Sequence, residues 1–248
     1  MRPVVLVSCD RRDQTGYRPG PRVRPLRPEV WTGEATILAV RAAGGVPVLA
    51  PPGEDDVAAL LSTCQAVVLT GGHFDIHPSL YGEAVTGRLD RVEPGRTSLE
   101  LELAQQAYLR GIPLLGLCGG MQAMAVARRG RLIQDLPTPL DLDPSPIAHE
   151  QPTDPATAWH TVRTQAPATA ILGDTTPVNS THHQAVRDPG EGLVACGWSE
   201  DGVIEVIAAP DRFFFGVQWH PELLGDLRPF TALLAAIGSQ SATPPSRP

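Results

Sequence analysis

Along the chain, short runs of β-branched and other apolar residues alternate with segments in which apolar positions recur every three to four residues. The runs are VVLVS (4–8), VPVLA (46–50), AVVLT (66–70) and PLLGL (113–117), and helix-period segments lie near 34–43, 55–63, 97–109 and 119–129. Continuous apolar strands separated by helices predict a doubly wound α/β fold, with a mostly parallel central sheet covered on both faces. After Asp135 the pattern changes. A proline-rich stretch, TPLDLDPSPIAHEQPTDP, leads into the strand-like segments TVRT, LVACGW, VIEVIAA and FFFGVQW, which are expected to extend the sheet with antiparallel additions. A last helix is expected near 227–238, and SQSATPPSRP (239–248) has the composition of a disordered tail. The organisation expected is one domain over 1–238 followed by that tail, with no internal repeat.

Composition narrows the chemistry. With 27 acidic against 20 basic residues the net charge is −7, which argues against a nucleic-acid partner. All 20 basic residues are arginine, so Schiff-base lysines, phosphate-loop lysines and lysine general bases are excluded. The apolar run near the N-terminus is too short for a signal-peptide core or a membrane span, and a cytoplasmic protein without membrane association is expected. Cys9, Cys64, Cys118 and Cys196 form no C-x-x-C pair, so neither a zinc knuckle nor a disulfide framework is indicated. Residues 11–27 hold six of the arginines and three prolines, which reads as a mobile basic surface loop able to border a site at the end of the first strand.

The stretch PLLGLCGGMQ (113–122) passes from an apolar strand through one cysteine into a helix. Gly116 lies two before Cys118 and Gly120 two after it, satisfying the G-x-C-x-G pattern of a nucleophile elbow, whose turn exposes the side chain at the carboxyl edge of the sheet. The unpaired first-turn amides of the following helix, and its dipole, favour a thiolate and a developing oxyanion. GVQWHPE (216–222) supplies a base: in an extended segment Glu222 falls on the same side as His220 and can fix its tautomer, giving Cys118, His220 and Glu222 as a candidate triad. The loop LTGGHFDIHP (69–78) offers the amides of Gly71 or Gly72, which together with that of Gly119 could face a tetrahedral intermediate. His73 and His77, with Asp75 between them, give no coherent ligand set, and no metal is expected.

TGGHFDIHPSLYGE, GLCGGMQ, VNSTHHQAV, DGVIEVI and GVQWHPE, in this order over nearly the whole chain, resemble the class I glutamine amidotransferase fold, which is flavodoxin-like, and within it the gamma-glutamyl hydrolase (peptidase C26) branch. The resemblance implies that Cys118 is the nucleophile, His220 the general base and then acid, and Glu222 its orienting partner. It also implies that Gln122 contacts the glutamyl part of the substrate. His182 and His183 would point to opposite sides if extended; the family motif centres on His183, which is taken as substrate-binding. Two positions depart from the pattern: the branch usually carries arginine where this chain has Gly119, and aspartate where it has Thr97 in EPGRTSLE. Both bear on the leaving group more than on the triad. The expected activity is cysteine-dependent hydrolysis of a gamma-glutamyl amide, with Gly72 and Gly119 as oxyanion donors and no cofactor or metal. The expected partner is a small-molecule gamma-glutamyl substrate, and the sequence leaves open whether the chain forms a homodimer. The alternatives are a glutaminase subunit delivering ammonia to a synthase partner and a non-catalytic domain that kept the fold.

Overall fold

A computed structural model describes residues 1–12, 17–18, 24–25, 27–53, 56–136 and 147–238. The tail expected at 239–248, residues 137–146, and the interior of the 11–27 segment apart from two short strands lie outside the described residues. The chain begins with β1 (Val4–Ser8), β2 (Asp10–Arg12), β3 (Tyr17–Arg18), β4 (Arg24–Pro25) and β5 (Glu29–Trp31). It continues with α1 (Glu34–Ala42), β6 (Val46–Ala50), α2 (Val57–Ser62), β7 (Ala66–Leu69), a 3-10 turn (Pro78–Tyr81), α3 (Pro94–Arg110), β8 (Leu114–Leu117) and α4 (Gly119–Ala127). The C-terminal half comprises β9 (Arg131–Ile133), β10 (His160–Thr164), α5 (Thr169–Leu172), β11 (Thr175–Val178), β12 (Ala185–Asp188), β13 (Val194–Trp198), β14 (Ile204–Ala208), β15 (Phe214–Val217) and α6 (Arg228–Ala235).

Eleven strands form one sheet in the order β11-β10-β13-β14-β15-β8-β7-β1-β6, with β12 pairing with β14 and β9. The adjacent strands β6, β1, β7, β8 and β15 run parallel, and the remainder are added antiparallel. The mixed α/β architecture with parallel central strands is therefore the one expected. Strands β7, β8 and β15 are buried along their whole length, as strands covered on both faces must be. One core lies under α2, α3 and α4; the other lies under α1, α5 and α6.

Three strands of the main sheet escaped the sequence pattern. β9, β11 and β12 read RLI, TTPV and AVRD, too short and too polar for a period to register. The 11–27 segment is also corrected at its start, because Asp10–Arg12 pairs antiparallel with Glu29–Trp31 instead of entering a loop directly. Helix α3 begins three residues earlier than expected, at Pro94, where proline costs no hydrogen bond because a first-turn amide has no intrahelical acceptor.

The parallel register sets up the site. Val217 of β15 lies beside Leu117 of β8, and Leu69 of β7 beside Gly116. The residues that follow these strands, Cys118, Gln218–His220 and Thr70–Gly72, thus emerge side by side at one carboxyl edge, where open α/β sheets place their ligands.

Candidate active site

Cys118 occupies a backbone conformation (φ 50°, ψ −110°) that side chains other than glycine seldom adopt. The strain is held by close packing on either side. A Cβ at Gly116 would lie 2.4 Å from Met124 Sδ, and one at Gly120 would lie 2.2 Å from the Leu69 carbonyl oxygen, so only glycine lets α4 settle onto the strand ends. Cys118 N donates to Val217 O (2.8 Å), which ties the elbow to β15.

His220 stands beside Cys118, its Nε2 and the Cys118 Cβ lying 3.0 and 3.1 Å from where a Cβ on Gly71 would lie, and its Nδ1 hydrogen-bonds Glu222 Oε1 at 2.7 Å. The structure brings the three residues together, with His220 and Glu222 in the turn after β15 rather than on an extended strand. Burial would push the imidazole pKa down, but the charge of Glu222 and the neighbouring Cys118 hold it well above the ordinary histidine value. In contrast, burial pushes the thiols of Cys9, Cys64 and Cys196 up to about 11, leaving them neutral at physiological pH. Of the four cysteines, only Cys118 lines the cavity at this edge.

Gly71 and Gly72 sit against the elbow. A Cβ at Gly71 would lie 2.5 Å from His220 Cε1 and 3.1 Å from Cys118 Cβ; one at Gly119 would be 4.0 Å from Gly71 Cα. The glycine loop after β7 therefore faces the N-terminus of α4 across the thiol. Its carbonyls are turned away by Arg96, which is buried on α3. Arg96 Nη2 donates to Thr70 O (2.8 Å) and Gly71 O (2.9 Å), while its Nε donates to Glu100 Oε1 (3.1 Å). The guanidinium also stacks on Phe74 at 4.2 Å. The neighbouring Thr97, where the family pattern has aspartate, is buried with its hydroxyl unpartnered among the described residues.

The cavity has a volume of about 320 Å³ and is bordered by Gly72, Cys118, Gly119, Gln122 and His183, with Asp75, Asp90, Arg91 and Glu150 supplying charge of both signs. Gln122 Nε2 donates to Gln184 O (3.0 Å) and Gln218 Oε1 (3.3 Å), so its side chain is held from behind. His183 is clamped between carboxylates: Nε2 to Asp75 Oδ1 at 3.0 Å and Nδ1 to Asp135 Oδ1 at 3.1 Å. Burial opposes its protonation, but the Asp75 hydrogen bond and charge, with the Asp135 hydrogen bond, raise its pKa. His182 turns the opposite way, into the antiparallel part of the sheet, where its Nε2 is 3.7 Å from Glu205. His77 is remote from such a role and caps the 3-10 turn through Ser79.

Two residues of the site carry no signal that the sequence reading used. Asn179 accepts from His220 N (2.8 Å) through Oδ1 and donates to His220 O (3.1 Å) through Nδ2, gripping the histidine backbone from both sides. Gln218 donates to Cys118 Sγ at 3.6 Å. Its placement two residues before His220 was visible in GVQWHPE, since alternation puts both on one side.

A family model for peptidase C26 matches residues 27–222. The chain belongs to the peptidase C26 family. Among its relatives is the Mycobacterium tuberculosis protein named "Putative glutamine amidotransferase Rv2859c", 39% identical over 243 residues, covering 89% of this chain and 75% of that protein. The gamma-glutamyl-gamma-aminobutyrate hydrolase PuuD of Escherichia coli is 30% identical over 202 residues, covering 76% of this chain and 77% of that protein. The crystal structure of a "putative gmp synthase subunit a protein" from Thermoplasma acidophilum shares the fold, with a TM-score of 0.58 at 13% identity over 95% of this chain and 96% of that one. Membership of the C26 family implies an enzyme of the hydrolase type. Among the described residues no helix is long and apolar enough to cross a membrane.

Proposed function

We propose that this C26 member hydrolyses a gamma-glutamyl amide through a thioester on Cys118. The observation that carries the reading is the strained Cys118 beside His220, itself hydrogen-bonded to Glu222, at a charged cavity. The Cys118 thiolate attacks the side-chain carbonyl carbon, and the carbonyl electrons move onto oxygen, where the amides of Gly119 and Gly72 receive them. Collapse of this intermediate breaks the C–N bond as His220 protonates the leaving amine. Water, deprotonated by the same imidazole, then attacks the thioester, releases glutamate and restores the thiol. Gln122 and His183 border the space for the glutamyl portion, and Arg91, Asp90 and Glu150 line the same cavity with charge of both signs, suited to its carboxylate and ammonium groups.

Glutamate release from gamma-glutamyl-gamma-aminobutyrate and from glutamine, by the purified chain beside its Cys118→Ala variant, tests this. Release from the gamma-glutamyl amine by wild type alone supports it; equal release by the variant sinks it. The amidotransferase names of several relatives keep a second reading in view, a glutaminase that passes ammonia to a synthase. Its signature is glutamine turnover that stays negligible until a partner protein is added.

A further inference from the structure

Behind the wall of the cavity that His182 helps to line, the antiparallel part of the sheet buries a carboxylate among three imidazoles. Glu205 on β14 is fully buried, and neither of its oxygens has a hydrogen-bond partner that satisfies normal geometry among the described residues. Facing its Oε1 are His149 Nδ1 at 3.4 Å, His160 Nε2 at 3.7 Å and His182 Nε2 at 3.7 Å. His160 Nε2 and His182 Nε2 are themselves buried and unpartnered. An isolated buried carboxylate is costly unless something positive neutralises it.

The far side of each ring shows which nitrogen is free to bind. His149 Nε2 meets Asp201 Oδ2 at 3.1 Å, His182 Nδ1 meets Gln184 O at 2.9 Å, and His160 Nδ1 meets Thr161 O at 3.4 Å. Carboxylates and carbonyls accept only, so each of these nitrogens carries a proton. In a neutral ring the opposite nitrogen is then a lone pair, as at His160 and His182, whose unpartnered Nε2 atoms face Glu205. At His149 burial opposes protonation, but Glu205 and Asp201 raise the pKa, and the ring holds there a proton that a divalent cation would displace. Ser180 Oγ, whose proton goes to His149 O at 2.8 Å, accepts from His149 Nδ1 at 3.3 Å, so in the absence of a cation that nitrogen is protonated between Ser180 and Glu205. Lone pairs directed at a carboxylate repel it; a cation between them turns the repulsion into coordination. Histidine ligands anchored on the far side by a carboxylate or backbone carbonyl are the usual support of a metal site.

We propose that His149, His160, His182 and Glu205 bind one divalent transition-metal ion, with Zn²⁺ the best match, and that the ion ties the 179–184 segment to β10 and β14. Three imidazoles and a carboxylate form a four-ligand set suited to zinc. With bonds of about 2.0–2.1 Å, tetrahedral ligands lie about 3.4 Å apart, and the ligand atoms of His149, His160 and Glu205 already fall within 4.8 Å of one another. With all four positions taken by protein, the ion is structural. It holds the backbone beside Gln122, whose amide donates to Gln184 O. This site departs from the metal-free expectation drawn from the sequence, and it does not depend on the gamma-glutamyl reading.

The test uses the full chain, purified on a tag without histidine. Metal content is measured first; the protein is then stripped with dipicolinate and titrated with Co²⁺ and Zn²⁺, following d–d absorption and thermal melting. The expected result is a single metal equivalent per chain, a tetrahedral Co²⁺ spectrum displaced by Zn²⁺, and a melting temperature several degrees higher with Zn²⁺ than without. Glu205→Gln and His160→Asn abolish the spectrum, whereas Asp90→Asn, at the separate Asp75–Asp90–His183 cluster, leaves it intact. A wild-type protein that neither retains metal nor develops the spectrum overturns the proposal without reference to any variant's folding. So does a spectrum that survives both Glu205→Gln and His160→Asn, or one that Asp90→Asn removes.

Discussion

The His220–Glu222 pair and the Glu205 cluster both set imidazole against carboxylate, but in opposite surroundings. His220 and Glu222 are two residues apart just beyond a strand end, joined by one 2.7 Å bond, with the other imidazole nitrogen turned to a thiol at a cavity. Glu205 sits within a strand, fully buried, and collects rings from His149, His160 and His182, which lie at distant positions in the sequence. The first arrangement keeps one nitrogen available for proton transfer, which chemistry requires. The second directs one nitrogen of each ring inward to a buried carboxylate and ties the other to the surrounding structure, which suits binding more than proton transfer. Substitutions at the first centre should therefore change turnover with little change in melting, and substitutions at the second should do the reverse.

The largest contrast is expected for Cys118→Ala. Loss of the nucleophile should lower glutamate release by about 10⁴-fold or more, while the melting temperature stays close to wild type. A variant that also melts early would mean that the elbow is part of the structural framework, and the contrast between the centres would blur. Glu205→Gln reverses the pattern. Removing one partner from a buried charge cluster costs about 3–5 kcal/mol, read as a lowered urea midpoint. Between these lies Gly71→Ala, whose added Cβ would meet His220 Cε1 at 2.5 Å. Moving the imidazole by about 1 Å should lower kcat about 10²-fold; unchanged kcat would show that the loop yields and the glycine is not needed for the histidine's position.

The parallel half of the fold was legible because its strands are buried on both faces and so appear as unbroken apolar runs, VVLVS or AVVLT, between helical periods. The elbow was legible for a local reason: Gly116 and Gly120 answer contacts made within a few residues of Cys118 and at the neighbouring strand. What escaped depends on distant partners. Strands such as TTPV and AVRD are held by ladders to β10, β14 and β9 and contain nothing that a short window can separate from loop. The same holds for Arg96, which secures the glycine loop through carbonyls 25 and 26 residues earlier in the chain. The histidines around Glu205 are another case: His149 and His160 read as isolated residues until the fold assembles them.

Asn179 offers a finer test of how the first centre is held. Its amide satisfies both the N–H and the C=O of His220, so Asn179→Ala leaves two backbone groups without these partners. A loss of about 1–3 kcal/mol in stability is expected, together with a fall in kcat smaller than that of Gly71→Ala. Equal loss of stability with no change in kcat would make Asn179 a structural clasp alone.

The smallest expected effect is a pH dependence of stability that separates the proton on His220 from other titrations. Glu222 and Cys118 raise the folded-state pKa of His220 well above its ordinary value, despite the opposing effect of burial. The unfolded chain has a histidine pKa of about 6.5, so between that pH and the raised folded value the native state holds more protons than the unfolded one. Unfolding free energy then falls as pH rises: the His220 contribution is complete below about 6.5 and is lost as pH passes through the folded value. His183 is raised for a similar reason, by Asp75 and Asp135, and contributes with the same sign. Comparing urea unfolding of wild type and Glu222→Gln from about pH 6 to about pH 9 isolates the His220 share, because only the variant removes the charge nearest that ring. The slope should flatten in the variant. A slope identical in both would place the proton uptake at His183 or the Glu205 cluster, and the His220–Glu222 pair would then differ from its buried counterpart in position but not in charge.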